Sequence, residues 1–223
     1  MKNFKYLDTI TVFFVVALLI SNIASTKIAK VGFMALDGGT LLFPLTYIFG
    51  DVLTEVYGYK KSRKVIWLGF ASCVLMSIIF GIVGFLPSAS GWDNQDAYMK
   101  ILGQTPRIVL ASLIAYFVGE FSNSYVLAKM KILTKGKWLW TRTIGSTLIG
   151  ELLDSLIFVT IAFTGVVSRE LLYELVIFNY FFKTAVEIVF TPLTYLVVNK
   201  LKQKEHEDYY DTKTDFNPFR VNV

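Results

Sequence analysis

One cysteine, one histidine and five prolines stand in a chain of 223 residues, of which only 17% are charged. The lone cysteine, Cys73, excludes an intrachain disulfide. The lone histidine, His206, lies in a polar C-terminal stretch, so there is no HExxH and no His-based metal or nucleophile cluster. A phosphate-binding glycine loop and a G-x-S-x-G elbow are also missing. Hydrolase and ATPase readings therefore lack their parts, and no cofactor or metal is implied. The shortage of charge excludes an ordinary soluble globular domain, whose charged fraction is usually larger.

What fills the chain instead is apolar: 54% of residues are hydrophobic and 16% aromatic, with a mean hydropathy of +0.54. Runs of about twenty apolar residues, enough to cross a bilayer as helices, fall at Leu7–Thr26, Gly39–Tyr57, Val65–Leu86, Ile108–Leu127, Ile144–Thr164 and Leu172–Val198. The expected fold is an all-α polytopic membrane protein with six transmembrane helices in residues 1–202, followed by a flexible polar tail in 203–223 whose Phe216 and Phe219 could dock. A signal peptide at the start is disfavoured, because the first run is long for one and Lys27 and Lys30 mark its far edge.

Sixteen of the 22 Lys and Arg residues fall on one side of this scheme, among them Lys2, Lys60, Lys61, Arg63, Lys131, Arg142, Lys202, Lys213 and Arg220. The positive-inside bias makes that side, with both termini, cytoplasmic. The basic loops read as membrane anchors, with no nucleic-acid partner. Between Pro87 and Pro106, Asp93 to Leu102 could form a short interfacial helix. Ala17, Ser21, Ser25 and Ala29 make a small-residue stripe that serves as an internal seam or, alternatively, as a contact in a homo-oligomer. Pro44 and Pro192 permit bends in or near their spans.

Three spans repeat a pattern of glycine, acid, two residues, then two polar groups: Gly50-Asp51-x-x-Thr54-Glu55, Gly119-Glu120-x-x-Asn123-Ser124 and Gly150-Glu151-x-x-Asp154-Ser155. At three-residue spacing the acid and the first following polar group share a helix face, and the glycine thins the helix beside them. The sixth span adds Asn179, Lys183 and Glu187 on one face, and the first adds Asn22. A charge at mid-bilayer costs about 2.5 to 3.5 kcal/mol, so Asp51, Glu120, Glu151, Asp154, Lys183 and Glu187 would together cost about 15 to 20 kcal/mol facing lipid. They must face one another, a cavity or a ligand. Interhelical clamping is the plainer alternative, with Lys183 and Glu187 as an i,i+4 ion pair and Glu55 snorkelling to the cytoplasmic cations. So many acids with one base suit a donor-rich or cationic ligand better. An aspartyl intramembrane protease would need Asp51 and Asp154 to share a proton.

The blocks FPLTYIFGDVLTEVYGYKKSRK (43–64), AYMKILGQTPRIVLASLIAYFVGEFSNSYVLAKMK (97–131), WLWTRTIGSTLIGELLDSLIFVTIAFTG (138–165) and NYFFKTAVEIVFTPLTYLVVNKL (179–201) resemble the queuosine precursor transporter family, among vitamin-uptake-like carriers. The resemblance covers about Ile20 to Lys202 and implies import of a 7-deazaguanine, 7-cyano-7-deazaguanine or its aminomethyl relative, across the bacterial inner membrane for tRNA queuosine synthesis. A carboxylate, Glu151 or Glu120, is expected to accept the N1–H and 2-amino group. Asn179, Asn123 or Lys183 is expected to donate to O6, and Tyr47, Tyr116, Tyr180 or Phe181 to stack on the ring. The expected site is thus Asn22, Asp51, Glu120, Asn123, Glu151, Asp154, Asn179 and Lys183, worked by alternating access with or without coupled protons. The alternatives are a substrate-binding subunit of a multi-component vitamin importer, or a carrier of another flat heterocycle.

Overall fold

The computed structural model describes residues 4–212 and 214–219, so Lys2, Lys213 and Arg220, counted above toward the basic side, lie outside the described residues. Helices dominate: α1 (Leu7–Ala24), α2 (Phe43–Tyr57), α3 (Tyr59–Phe85), α4 (Gln95–Ile101), α5 (Thr105–Leu133), α6 (Leu139–Phe163) and α7 (Arg169–Glu205). The short helix expected between Pro87 and Pro106 is present as α4. The all-α expectation needs one correction. Strands β1 (Ile28–Val31) and β2 (Met34–Asp37) form an antiparallel hairpin pairing Ile28 with Asp37 and Val31 with Met34. Its tight turn uses Gly32 at φ 61°, a region that favours glycine.

Among the described residues, five helices are long and apolar enough to cross a membrane: Leu7–Ala24, Tyr59–Phe85, the Gln95–Leu133 stretch, Leu139–Phe163 and Arg169–Glu205. The sixth expected span, Gly39–Tyr57, yields only the 15 residues of α2, about 22 Å of helix. The reason lies at its ends. Asp37 caps a 3₁₀ turn, Gly38–Leu41, and the α-helix starts only beyond it, with Pro44 in its first turn where no backbone donor is needed. Gly58, at φ 87°, ends α2 and feeds the chain straight into α3.

Successive long helices alternate in direction, and the start of α1 meets the end of α7. The Glu205 carboxylate accepts from the backbone N–H groups of Lys5 and Tyr6 at 3.0 and 2.7 Å and from the Tyr57 hydroxyl at 2.9 Å. At the opposite, hairpin end, Arg107 on α5 donates to the carbonyls of Ile161, in the last turn of α6, and Thr164, its C-cap. The bundle is apolar outside and polar inside: Phe13, Val189 and Leu196 are well exposed while Thr54, Glu120, Asn123 and Asn179 are buried. Such an exterior suits a hydrocarbon surround.

Packing explains the small residues. Gly119 on α5 and Gly150 on α6 face each other so closely that a Cβ on either would lie within 3.0 Å of the other's carbonyl oxygen. Small residues at a membrane helix crossing permit this approach. Ser21 and Ser25 of the small-residue stripe are buried, with Gly39 packed on them, while Ala29 belongs to β1. The stripe is an internal seam. Pro192 lies inside α7, where it leaves the Ile188 carbonyl without its helical partner; Thr191 and Thr194 donate to the neighbouring carbonyls of Glu187 and Phe190.

The C-terminal segment expected to be free is docked. His206 adopts a left-handed conformation that ends α7, and the chain turns back along α3 and α5. The Asp211 carboxylate accepts from the Tyr59 N–H, and the Trp67 indole donates to the Pro218 carbonyl at 2.8 Å. Phe216 packs on Tyr59 and Tyr125, and Phe219 on Trp67 and Phe117. Two phenylalanines in this largely polar stretch supply apolar contact that ordering requires.

Candidate functional site

Each glycine–acid notch brings its acid against a neighbouring helix. A side chain at Gly50 would occupy the space of the Glu120 carboxylate, so α2 makes room for the acid of α5. The polar pair that follows Glu120 is divided between two partners. Asn123 Nδ2 donates to Asp51 Oδ1 at 2.8 Å, while Ser124 Oγ donates to Glu120 Oε1 at 3.2 Å and accepts from Thr54 Oγ1 at 3.2 Å. On the other flank, Lys183 Nζ of α7 donates to Asp154 Oδ2 at 2.6 Å and lies 3.5 Å from Glu151 Oε2. The ion pair therefore joins α7 to α6 and does not run along α7 to Glu187, whose two carboxylate oxygens are buried without a hydrogen-bond partner among the described residues.

Counted by helical rise from the hairpin end, Asp154, Asn179, Glu151 and Glu120 lie about 14, 15, 18 and 22 Å deep. They form a polar column inside the bundle, continued by Asp51 on α2. Donors are scarce along it. Asp51 Oδ2, Asn123 Oδ1, Asp154 Oδ1 and Asn179 Oδ1 are buried acceptors without a partner among the described residues. Buried acceptors left in this way cost about 1 to 3 kcal/mol each, a burden that a donor-bearing ligand, water or proton removes. The two aspartates have separate partners, Asn123 for Asp51 and Lys183 for Asp154, which is not the shared-proton pair of an aspartyl protease.

Other expected residues separate from this column. Asn22 donates to the Leu18 carbonyl and, at 3.7 Å, to Cys73 Sγ, without engaging any of the carboxylates. Phe181 is 62% exposed on the outer face. Tyr47 and Tyr116 are buried with rings edge to face at 5.8 Å, beside the Gly119–Gly150 crossing and Glu120. Glu55 meets the basic-side cations as expected, but buried and not by snorkelling: its Oε1 accepts from Arg142 at 2.8 Å and Lys202 at 2.7 Å, with Lys131 at 3.4 Å. Lys131 also reaches the Glu55 carbonyl, Asp208 and the Tyr209 carbonyl, so four helices and the C-terminal segment converge at this end of the column.

The opposite end joins expected residues to others outside the expected site, chiefly Asp37. Asp37, buried at the close of β2, accepts from Ser25 Oγ at 2.7 Å, Gly39 N at 3.0 Å, Thr40 Oγ1 at 2.5 Å and Asn179 Nδ2 at 2.9 Å. The signal was the run Asp37-Gly38-Gly39-Thr40, an aspartate positioned to cap a turn at the mouth of an apolar span. Asp37, Ser25, Thr40, Ser112, Asp154 and Lys183 surround a cavity of about 10 Å³, room for about one water.

A family described as "Putative vitamin uptake transporter" matches residues 37–197. Among curated relatives, the chain is similar to a "Probable queuosine precursor transporter" of Bacillus subtilis, 28% identical over 85% of this chain and 83% of that one. It is similar also to a "Queuosine precursor transporter" of Escherichia coli, 24% identical over 91% of each chain. A "Probable queuosine precursor transporter" of Haemophilus influenzae is 25% identical over 74% of this chain and 70% of that one. No solved structure matches the chain.

Proposed function

We propose that this chain, which belongs to the vitamin uptake transporter family, carries a queuosine precursor along its buried polar column, the cargo being 7-cyano-7-deazaguanine or 7-aminomethyl-7-deazaguanine. Its relatives are transporters by name, not enzymes, and its long apolar helices make it a multi-pass protein of the bacterial inner membrane. The observation that carries the reading is the run of buried carboxylates, Asp51, Glu120, Glu151 and Asp154, served by one buried lysine and leaving acceptors unpaired. A deazaguanine brings donors in a row, N1–H and the 2-amino group, to an interior that lacks them. Glu151 and Glu120 are the acceptors for that edge, Lys183 the donor for O6, and Tyr47 or Tyr116 the stacking surface.

Six crossings with cytoplasmic termini fit this reading. An even number of traverses, with α2 and its 3₁₀ turn as the sixth, agrees with the start of α1 lying beside the end of α7, and the basic bias favours the cytoplasm for that shared end. Residues 1–202 then form the transport body. A cavity of about 10 Å³ is far smaller than a purine-sized base, so transport requires the column to open alternately. The Glu55–Arg142–Lys131–Lys202 cluster closes the cytoplasmic end, and the hairpin with its 3₁₀ turn closes the other.

The test is uptake of radiolabelled 7-cyano-7-deazaguanine by a strain unable to make or import it, expressing only this chain. Wild type restores uptake, and Glu151→Gln abolishes it at equal membrane abundance. Unchanged uptake and affinity in Glu151→Gln, with only thermal stability lowered, would remove Glu151 from the site. No uptake by well-expressed wild type refutes a self-sufficient carrier of this base.

A further inference from the structure

We infer that Asp37 is a positioning residue of the transport site: it fixes the Asn179 amide so that Oδ1, an acceptor, is what the interior offers the cargo. The inference rests on the transport reading above and reverses the role that Asn179 would have as a free amide, which presents a donor as readily as an acceptor.

The Asp37 side chain is a carboxylate. Ionised, it only accepts hydrogen bonds, and Asp37 is supplied with four donors, two on each oxygen: Ser25 Oγ and Gly39 N on Oδ1, Thr40 Oγ1 and Asn179 Nδ2 on Oδ2. These come from the end of α1, the turn after β2 and α7. The amide of Asn179 has one donor and one acceptor side. Facing a carboxylate it must present the NH₂, and the oxygen is then turned the other way. That oxygen is buried with no donor among the described residues, one helical turn from Lys183. A flipped amide would oppose two oxygens and gain nothing from Asp37. Burial sharpens the preference, because both groups are cut off from water.

The same device recurs deeper in the column, where Asp51 takes the NH₂ of Asn123 and leaves Asn123 Oδ1 unpartnered. Two aspartates, on two chain segments, thus turn two amides into acceptors. Lys183 remains the cationic donor of the column, and a cargo must supply N–H groups to be held there.

The experiment measures equilibrium binding of 7-cyano-7-deazaguanine to the purified full chain in lipid nanodiscs, for wild type, Asp37→Asn, Asn179→Asp and the double exchange Asp37→Asn/Asn179→Asp. Asp37→Asn frees the amide to rotate, and Asn179→Asp sets two carboxylates face to face; each weakens binding about tenfold or more. The double exchange restores an amide-to-carboxylate bond with an acceptor oxygen still directed inward, and recovers affinity to within about threefold of wild type. If either single variant fails to fold, the exchange and the other single variant still decide. Wild-type affinity in a folded single variant, or an exchange no better than the weaker single, overturns the assignment while leaving the transport reading intact. No binding by wild type overturns the transport reading, and the assignment with it.

Discussion

Substituting alanine for Gly119 tests the helix crossing on which the column depends. A Cβ there would stand 2.6 Å from the Tyr47 hydroxyl oxygen and 2.9 Å from both Asp154 Cβ and the Gly150 carbonyl oxygen. The hydroxyl belongs to a side chain that can yield, but the carbonyl is backbone of the facing helix. Reaching ordinary contact requires α5 and α6 to part by about 0.5 Å, and overpacking of this kind costs about 1 to 3 kcal/mol. Alanine in place of glycine in a helix returns about 1 kcal/mol through lower chain entropy. The net effect is a loss of about 1 kcal/mol. Gly81 on α3 is the internal reference: nothing lies within 4 Å of a Cβ there, so Gly81→Ala keeps the gain without the clash. A difference of about 2 kcal/mol between the variants corresponds to about 4 to 8 °C in midpoint for a chain of this size. Thermal unfolding of the purified protein in one detergent reads it directly. Gly119→Ala melting at or above Gly81→Ala would show that the helices do not meet at this glycine pair.

Two more outcomes follow from the terminal end of the bundle. Glu55→Gln leaves Arg142 and Lys131 buried without their shared counter-charge, and breaking such a cluster costs about 3 to 5 kcal/mol, seen as a large drop in thermal midpoint; an unchanged midpoint would mean the cations find other partners. Burial alone would raise the Asp208 carboxyl, but hydrogen bonds from Lys131 and Lys202 hold it below its ordinary value. A depressed carboxyl contributes stability above its ordinary value and loses it as pH falls through the lowered one. The midpoint gap between wild type and Asp208→Asn, worth about 0.5 kcal/mol at this half-exposed site, is therefore constant above the ordinary carboxylate range and shrinks away as pH falls through and below it. A gap that widens on acidification would contradict the pairing.

The long helices were legible because the cost of exposing a backbone or a charge to hydrocarbon acts on every residue of a span. The hairpin was not. Two strands of four residues carry little local signal, and an isolated hairpin is marginal in water. It stands here because other parts of the chain hold it: Asn179 bonds Asp37, and Phe33 packs edge to face on Phe178 at 5.9 Å. The C-terminal segment misled for the opposite reason. Its composition is that of a free chain, while two phenylalanines and the backbone carbonyls of Asp215, Asn217 and Pro218, taken by Arg63 and Trp67, order it against the bundle.

Within the column, one-dimensional spacing identifies which groups share a helix face but not which neighbouring helix supplies their partner. Lys183 shows the difference. Four-residue spacing makes Glu187 its local partner, and on an isolated helix in water such a pair is worth about 0.2 to 0.5 kcal/mol. In a buried interior the ammonium gains more from an acid it can meet at 2.6 Å, and Asp154 on the facing helix α6 is that acid. The glycines of the repeated pattern thus do more than thin a helix: they bring α5 onto α6 beside Asp154, the acid that Lys183 meets from α7. Glu187 is released from that pair and left with two buried, unpartnered oxygens on α7, one turn beyond the ammonium. A pairing that is local in sequence yields to one that crosses between helices, and the acceptor it leaves behind extends the donor-poor lining toward the proline of the same helix.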